Sequence, residues 1–156
     1  MEGAYKPIRI QEKKNKRTAA IKTLKIIDLS RQYFRKMMGL ELPEKRAGKF
    51  IQITDGNREY IVLSPKGLSQ FHANIAERFC EDRGVVGAYR SKKKEYYIIY
   101  DPDWQILGGG FWEINDREKR LMLEGSSQAY GKFHTEGLAK RLEETKKLQE
   151  YRVIVR

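Results

Sequence analysis

Three consecutive glycines stand inside a segment that otherwise has the residues of a β-strand. Residues 104–114 predict a strand, and Gly108, Gly109 and Gly110 interrupt it. Glycine in a strand interior costs conformational entropy and gives up side-chain packing. The triplet therefore predicts that another backbone or a ligand comes very close, or alternatively that the strand bulges or bends there. It does not predict a dinucleotide site, because the G-x-G-x-x-G spacing is absent and no helix follows.

The segments around this strand predict an α+β domain. Strands are predicted over 49–54 and 59–63, joined by the tight-turn sequence Asp-Gly-Asn, and a helix from residue 69 or 72 to residue 82. Further along, the pattern predicts a hairpin over 85–100, a strand over 120–125, an amphipathic helix over 135–148 and a last strand over 151–155. We therefore expect a mixed β-sheet of about six strands, plus the hairpin, flanked by two helices.

The positive charge of the chain is concentrated in its first third. Residues 1–46 hold 13 Lys and Arg against 5 Asp and Glu, whereas residues 47–156 hold 19 against 16. An apolar stripe that includes Ile21, Leu24 and Ile27 predicts an extra basic helix over 18–38. We therefore divide the chain into a basic N-terminal extension, 1–46, and a domain, 47–156. The extension is expected either to bind a polyanion such as nucleic acid or to be a solvated basic segment without a specific partner.

Composition argues against several other classes of protein. The single cysteine, Cys80, cannot form an internal disulfide, which favours a reducing, cytoplasmic setting. One cysteine and two histidines cannot make a four-ligand Cys/His zinc site, so we expect no metal. No apolar run has the length of a membrane span or of a signal peptide, so we expect no membrane partner. The serine-hydrolase motif G-x-S-x-G and the P-loop motif are also absent.

Two segments have the residues of an anion site. His72 stands at the predicted start of a helix, where free N–H groups and the positive end of the helix dipole suit a phosphate. An imidazole there can do proton or nucleophile chemistry near neutral pH, although it could equally be a surface residue beside a helix. Residues 125–131, rich in serine and glycine, predict either a nest of N–H groups that binds an anion or an ordinary turn. The second histidine, His134, is expected to be a polar residue at a helix start.

Four motifs in order resemble the Janus/Ocnus (protein histidine phosphatase) family over residues 47–156. They are Lys49 on the first strand, Phe-His-Ala-Asn-Ile at 71–75, Leu-Gly-Gly-Gly at 107–110 and Ser-Gln-Ala-Tyr-Gly at 127–131. The resemblance implies a mixed sheet flanked by two helices. It also implies a phosphatase that needs neither metal nor cofactor and that hydrolyses phosphohistidine, with phospholysine as a further substrate, in a protein partner.

The same resemblance implies roles for individual residues. His72 would be the catalytic general base or nucleophile, and Lys49 would bind phosphate. The other phosphate-binding residues would be Ala73, Ser127, Gln128 and Ala129. Family members carry an arginine on the segment before the histidine, where this chain has Ser64 with Lys66 nearby, and the hairpin is an insertion. The alternative function is a non-catalytic module that binds phosphate or nucleic acid through the basic extension, within a larger assembly.

Overall fold

The computed structural model describes residues 23–156, and its strands form a six-stranded sheet and a separate hairpin. The strands are β1 (Thr23–Asp28), β2 (Lys45–Thr54), β3 (Arg58–Pro65), β4 (Gly87–Tyr89), β5 (Tyr97–Ile99), β6 (Gln105–Asn115), β7 (Arg120–Glu124) and β8 (Arg152–Val155). The large sheet has the order β1-β3-β2-β6-β7-β8, and β4 pairs with β5. The edge pairs β1–β3 and β7–β8 are parallel and the inner pairs are antiparallel, so the sheet is mixed.

One helix packs on each face of this sheet. Helix α1 (His72–Arg83) buries Ile75 and Phe79 among side chains of one face, and α2 (Leu138–Glu143) buries its leucines on the other. Gly84 ends α1 in the left-handed conformation, φ +68°, which glycine adopts without steric cost. The predicted α+β fold, with a mixed sheet between two helices, is confirmed. The predicted hairpin is confirmed as well, as β4 and β5, and its interpretation as an insertion in the family stays a prediction.

Alternation along β2 decides which of its side chains face α1. Phe50 belongs to the core on the α2 side, whereas Ile51 and Ile53 belong to the core on the α1 side. Because side chains alternate along a strand, Lys49 faces α1 as well. Its partner across the sheet is Phe111 of β6, and Ile51 pairs with Gly109 in the same register. The glycine triplet therefore lies beside Lys49, below the start of α1.

The predicted basic helix over 18–38 is wrong over Thr23–Asp28, which form a strand, and is helical at Gln32–Met37, while residues 1–22 lie outside the described part of the chain. Residues 23–28 form β1, where Lys25 is exposed and Ile26 is buried, a period of two rather than of a helix. This segment completes the edge of the sheet by pairing with β3, and that pairing outweighs its local helical pattern. Only one short π-helical turn, Gln32–Met37, follows.

The last predicted helix, 135–148, is shorter in the structure. Helix α2 ends at Glu143, and a 3₁₀ turn, Lys146–Leu148, follows. Thr145 separates the two because its backbone is extended, and its hydroxyl donates to the carbonyl of Leu142. Residues 143–147 contain neither glycine nor proline, which is why the sequence pattern does not reveal this break.

A buried polar network fixes the segment between β7 and α2 against the sheet. Gln52 of β2 donates to Glu59 of β3 at 2.7 Å and accepts the backbone N–H of His134 at 2.7 Å. Glu59 also forms an ion pair with Arg141 of α2 at 2.9 Å. Each polar group of this network thus has a partner, which removes most of the free-energy cost of burying it. The described residues contain no helix that is both long enough and apolar enough to cross a membrane.

Candidate phosphate-binding site

The glycine triplet lets three segments meet at one point. A Cβ on Gly109 would lie 2.6 Å from the carbonyl oxygen of Phe50, 3.0 Å from Cδ2 of His72 and 3.2 Å from Cβ of Ser127. His72 and Ser127 therefore flank the space that a Gly109 side chain would fill. Gly109 also donates its N–H to the carbonyl of Gly131, which ties the loop after β7 to β6. Both alternatives that the triplet predicted are confirmed: other chain segments come close at Gly109, and the pairing of β6 with β2 shifts register between Ile106 and Gly108.

His72 is buried and held by one ring nitrogen. Its Nε2 lies 2.9 Å from the carbonyl oxygen of Gly110. Because a carbonyl can only accept, Nε2 carries the proton, and a neutral ring then has its lone pair on Nδ1. Burial lowers the pKa of His72 below the ordinary 6.5; the charge of Lys49 lowers this pKa further, and the Gly110 bond opposes both effects. The imidazole is therefore neutral at pH 7 and has a free base at Nδ1.

Lys49 and His72 approach the same aromatic ring. The ammonium of Lys49 lies 5.8 Å from the centre of the Phe111 ring, and the imidazole packs edge-on to that ring with centres 5.6 Å apart. Phe111 itself is partly exposed. The cation and the free base thus both lie next to one apolar ring at the surface of the sheet.

The loop at residues 125–131 is a tight turn closed on itself. Ser127 donates its N–H to the carbonyl of Gly131 and accepts the N–H of Gly131 in return, and its hydroxyl accepts the N–H of Tyr130. The expected role of the Ser127 N–H as a phosphate donor is therefore wrong, because this turn already uses it. The hydroxyl hydrogen of Ser127 remains a donor.

These elements surround a surface cavity of about 850 Å³. Its lining consists of basic, acidic, aromatic and small polar side chains: Lys49, Phe71, His72, Arg90, Glu95, Tyr96, Phe111, Ser126, Gln128 and Ala129. The start of α1 reaches it through Phe71 and His72. There the first turn is closed by two reciprocal bonds, from the Phe71 N–H to the Asn74 side chain and from the Asn74 N–H to the Phe71 carbonyl.

The structure brings most of the predicted site residues to this cavity. Lys49, His72, Gln128 and Ala129 line it, whereas Ala73 and Ser127 do not. Ala73 is fully buried in the core between α1 and the sheet, and Ser127 is the buried closing residue of its turn. Both lie directly behind lining residues, so their backbones shape the cavity.

The two positions considered for a second cation do not line the cavity. Ser64 is buried, and its hydroxyl donates to that of Ser69 at 2.8 Å. Lys66 is exposed beyond the end of β3 and is not among the lining residues. The structure therefore does not bring Lys66 to the cavity, where the family resemblance led us to expect it.

Sequence reasoning missed five lining residues, three of which lie on the inserted hairpin or its turn. They are Arg90, Glu95, Tyr96, Phe111 and Ser126. The hairpin prediction, with strands over 85–90 and 95–100, sets Arg90 opposite Glu95, whereas the structure sets it opposite Tyr96. Nothing in the sequence pattern says on which side of α1 the hairpin packs. Phe111 could have been found, because it is two residues beyond Gly109 on the same face of a predicted strand.

Among residues 23–156, no group of three or more His, Cys, Asp and Glu side chains is arranged to hold a metal ion. The polar side-chain groups at the cavity are an ammonium, a guanidinium, an imidazole, a carboxylate, two hydroxyls and an amide. Cations and hydrogen-bond donors of this kind suit an oxyanion such as a phosphoryl group.

Comparison with known proteins agrees with the motifs. The model of the Janus/Ocnus family matches residues 48–152, which include β2 from Gly48 onward, α1, α2 and the whole cavity lining. No curated protein sequence matches the chain. The match spans most of the chain and includes every motif on which the resemblance was based, and the chain therefore belongs to the Janus/Ocnus family.

Proposed function

We propose that this protein hydrolyses phosphohistidine in a protein substrate, and phospholysine as a second substrate, without a metal. The observation that carries the proposal is the state of His72: its Nε2 is committed to the Gly110 carbonyl, and its ring is neutral beside a cation in an open cavity. A neutral imidazole with a free Nδ1 is suited to act as a general base or as a nucleophile.

Hydrolysis needs one base and a means of offsetting charge on the phosphoryl oxygens. In the base mechanism, Nδ1 of His72 takes a proton from water as the water oxygen bonds to phosphorus and the P–N bond breaks. In the nucleophile mechanism, Nδ1 itself bonds to phosphorus as the substrate P–N bond breaks and the substrate imidazole leaves. Water then attacks phosphorus, the Nδ1–P bond breaks, and phosphate and the neutral imidazole of His72 are released. In both, Lys49 and the Gln128–Ala129 part of the loop stand at the cavity to bind the phosphoryl oxygens. The P–N bond is labile, so modest assistance is enough.

The test compares the two histidines of the chain. His72→Ala should reduce hydrolysis of a phosphohistidine peptide by about 10²–10⁴-fold, the usual contribution of general acid–base catalysis. His134→Ala is the matched control, because His134 is exposed and bonds to Gln52 through its backbone only. Circular dichroism of both variants verifies the fold, and His72→Gln provides a substitution that refills the buried site. Hydrolysis that survives in both folded His72 variants would refute the proposal.

Trapping distinguishes the two mechanisms. A nucleophilic His72 forms a phosphorylated enzyme that acid-free quenching and mass spectrometry detect on that residue, whereas a general base leaves the protein unmodified. His134→Ala should behave as the native chain in this experiment.

Binding of nucleic acid by the basic extension stays a prediction. Seven of the 13 basic residues of 1–46 lie in 1–22, outside the described residues, and Arg46 is buried in ion pairs with Asp28 and Asp116. A salt titration of binding to nucleic acid tests it, because phosphate contacts produce a steep dependence on salt concentration.

A further inference from the structure

The inserted hairpin contributes the second cation of the cavity. Among the lining residues only Lys49 and Arg90 are cationic at pH 7, and Glu95 opposes them. Within residues 23–156, Arg90 forms no ion pair, so its guanidinium is not committed to a carboxylate there. A dianionic phosphoryl group would thus meet one cation from the sheet and one from the hairpin.

Arg90 is held in place by the residue across the hairpin. Its N–H donates to the Tyr96 carbonyl at 2.9 Å, next to the last pair of the hairpin, Tyr89 and Tyr97. Its guanidinium lies over the Tyr96 ring, 4.1 Å from the ring centre. Stacking on an aromatic face leaves the edge of the guanidinium, with its fork of N–H donors, free for an oxyanion.

The hairpin is fixed to the rest of the site at two points. On β4, the Tyr89 hydroxyl donates to the carboxylate of Glu77 of α1 at 2.6 Å and accepts a hydrogen bond from the side-chain amide of Asn74 at 3.1 Å. On β5, the backbone of Tyr97 bonds to the hydroxyl of Tyr130. This hydroxyl accepts the Tyr97 N–H at 3.0 Å and donates to the Tyr97 carbonyl at 2.9 Å.

Tyr130 belongs to the turn that flanks His72, so the hairpin and the loop form one wall. The Tyr96 ring also packs on the Tyr130 ring, with centres 5.2 Å apart. A continuous series of contacts therefore runs from the loop through Tyr130 and Tyr96 to the guanidinium of Arg90. This positions the cation relative to the cavity without a residue from the segment before α1.

We propose that Arg90 is a phosphoryl-binding residue of this cavity and that Tyr96 is a positioning residue for its guanidinium. The proposal rests on the proposed function for the identity of the ligand. It assigns this role to the one guanidinium among the lining residues, which lies on the β4–β5 hairpin.

Binding of inorganic phosphate, measured by titration calorimetry at low and at physiological salt, tests the proposal without any reaction. Arg90→Gln should weaken phosphate binding about tenfold or more and flatten its salt dependence, because one charge-assisted pair of hydrogen bonds is lost. Arg90→Lys should fall between the native chain and Arg90→Gln, since it keeps the charge but not the fork. Arg117→Gln, an exposed arginine outside the cavity, is the matched control and should bind phosphate as the native chain does.

The positioning role of Tyr96 has a separate readout. Tyr96→Phe keeps the ring and should bind phosphate as the native chain does, whereas Tyr96→Leu should lose several-fold in affinity. In the Arg90→Gln background, Tyr96→Leu should have no further effect, because it acts through Arg90.

The outcomes separate this proposal from the proposed function. Phosphate affinity of Arg90→Gln within twofold of the Arg117→Gln control would overturn the role of Arg90, whatever the activity. If His72 variants keep full hydrolysis while Arg90→Gln loses phosphate, the proposed function fails and the cavity still binds phosphate through Arg90.

Discussion

Replacing Gly109 with alanine tests whether the triplet exists to admit His72. Gly109 has no positive φ, so its backbone accepts alanine, and the cost comes from the added methyl group. That methyl would lie 2.6 Å from the Phe50 carbonyl oxygen, which the sheet fixes, and 3.0 Å from the His72 ring. Overpacking of this kind costs about 1–3 kcal/mol, and the reduced entropy of the unfolded chain returns about 0.4–1 kcal/mol.

We therefore expect Gly109→Ala to lower the free energy of unfolding by about 1–2 kcal/mol, which corresponds to a fall in Tm of roughly 3–8 °C for a chain of this size. The larger effect is on the imidazole, because the ring must move away from the strand and release the Gly110 carbonyl. Denaturant unfolding measures the first effect. Nitrogen–proton NMR of the imidazole measures the second in a His134→Gln background, where His72 is the one histidine.

Gly84→Ala is the matched control. Gly84 has φ +68° and no atom within 4 Å of an added Cβ, so alanine there costs about 1 kcal/mol through backbone strain alone. Both variants are destabilised, but only Gly109→Ala should change the His72 Nε2–H signal and the hydrolysis of phosphohistidine. An unchanged imidazole signal in a folded Gly109→Ala protein would refute the reasoning.

Two further predictions concern the charges at the cavity. The lowered pKa of His72 places the acidic limb of the pH–rate profile of the proposed hydrolysis below the 6.5 of an ordinary imidazole. Lys49→Met should move this limb to higher pH, because it removes a cation that disfavours the imidazolium. Histidine NMR titration measures the change in the His72 pKa directly, and a fall in that pKa would contradict the prediction. The unfolded chain takes up the His72 proton more readily, so stability should fall as the pH drops below 6.5. Glu95→Gln removes the one carboxylate of the cavity lining and should tighten phosphate binding a few-fold at low salt. High salt should suppress this effect by screening the charges. Unchanged phosphate affinity at low salt would show that Glu95 does not face the ligand.

The sequence predicts the centre of the fold well and its edge poorly. Strands β2 and β3 and helix α1 have strong local signals: an alternating pattern, a tight turn and a helix that ends at glycine. Residues 23–28 have apolar side chains that fit both a helical and a strand period, and only pairing with β3 selects the strand. Whether a segment becomes an edge strand depends on the strand with which it pairs, and local periodicity says nothing about a strand that is distant in sequence.

The site shows the same division between local and long-range information. The motif residues Lys49 and His72 were predicted as neighbours from the family resemblance, and the sheet register brings both next to Phe111. Arg90 escaped prediction because its position depends on contacts of Tyr130 with Tyr97, across 33 residues of chain. The Ser127 N–H was misassigned because the turn closes on Gly131, a detail of hydrogen bonding that composition does not reveal.

The buried layer around His72 and the exposed hairpin with Arg90 also differ in the contacts that hold them in place. His72, Gly109 and Ser127 pack within a few ångströms of one another in the buried layer between α1 and the sheet, so a change at any of them disturbs the others. Arg90 is exposed and meets the site only through stacking and two hydrogen-bonded tyrosines. The guanidinium on this surface hairpin can therefore be replaced without altering the buried layer. The imidazole of His72 is constrained more tightly. It keeps its free nitrogen at the cavity only while Nε2 bonds to the Gly110 carbonyl and Gly109 carries no side chain.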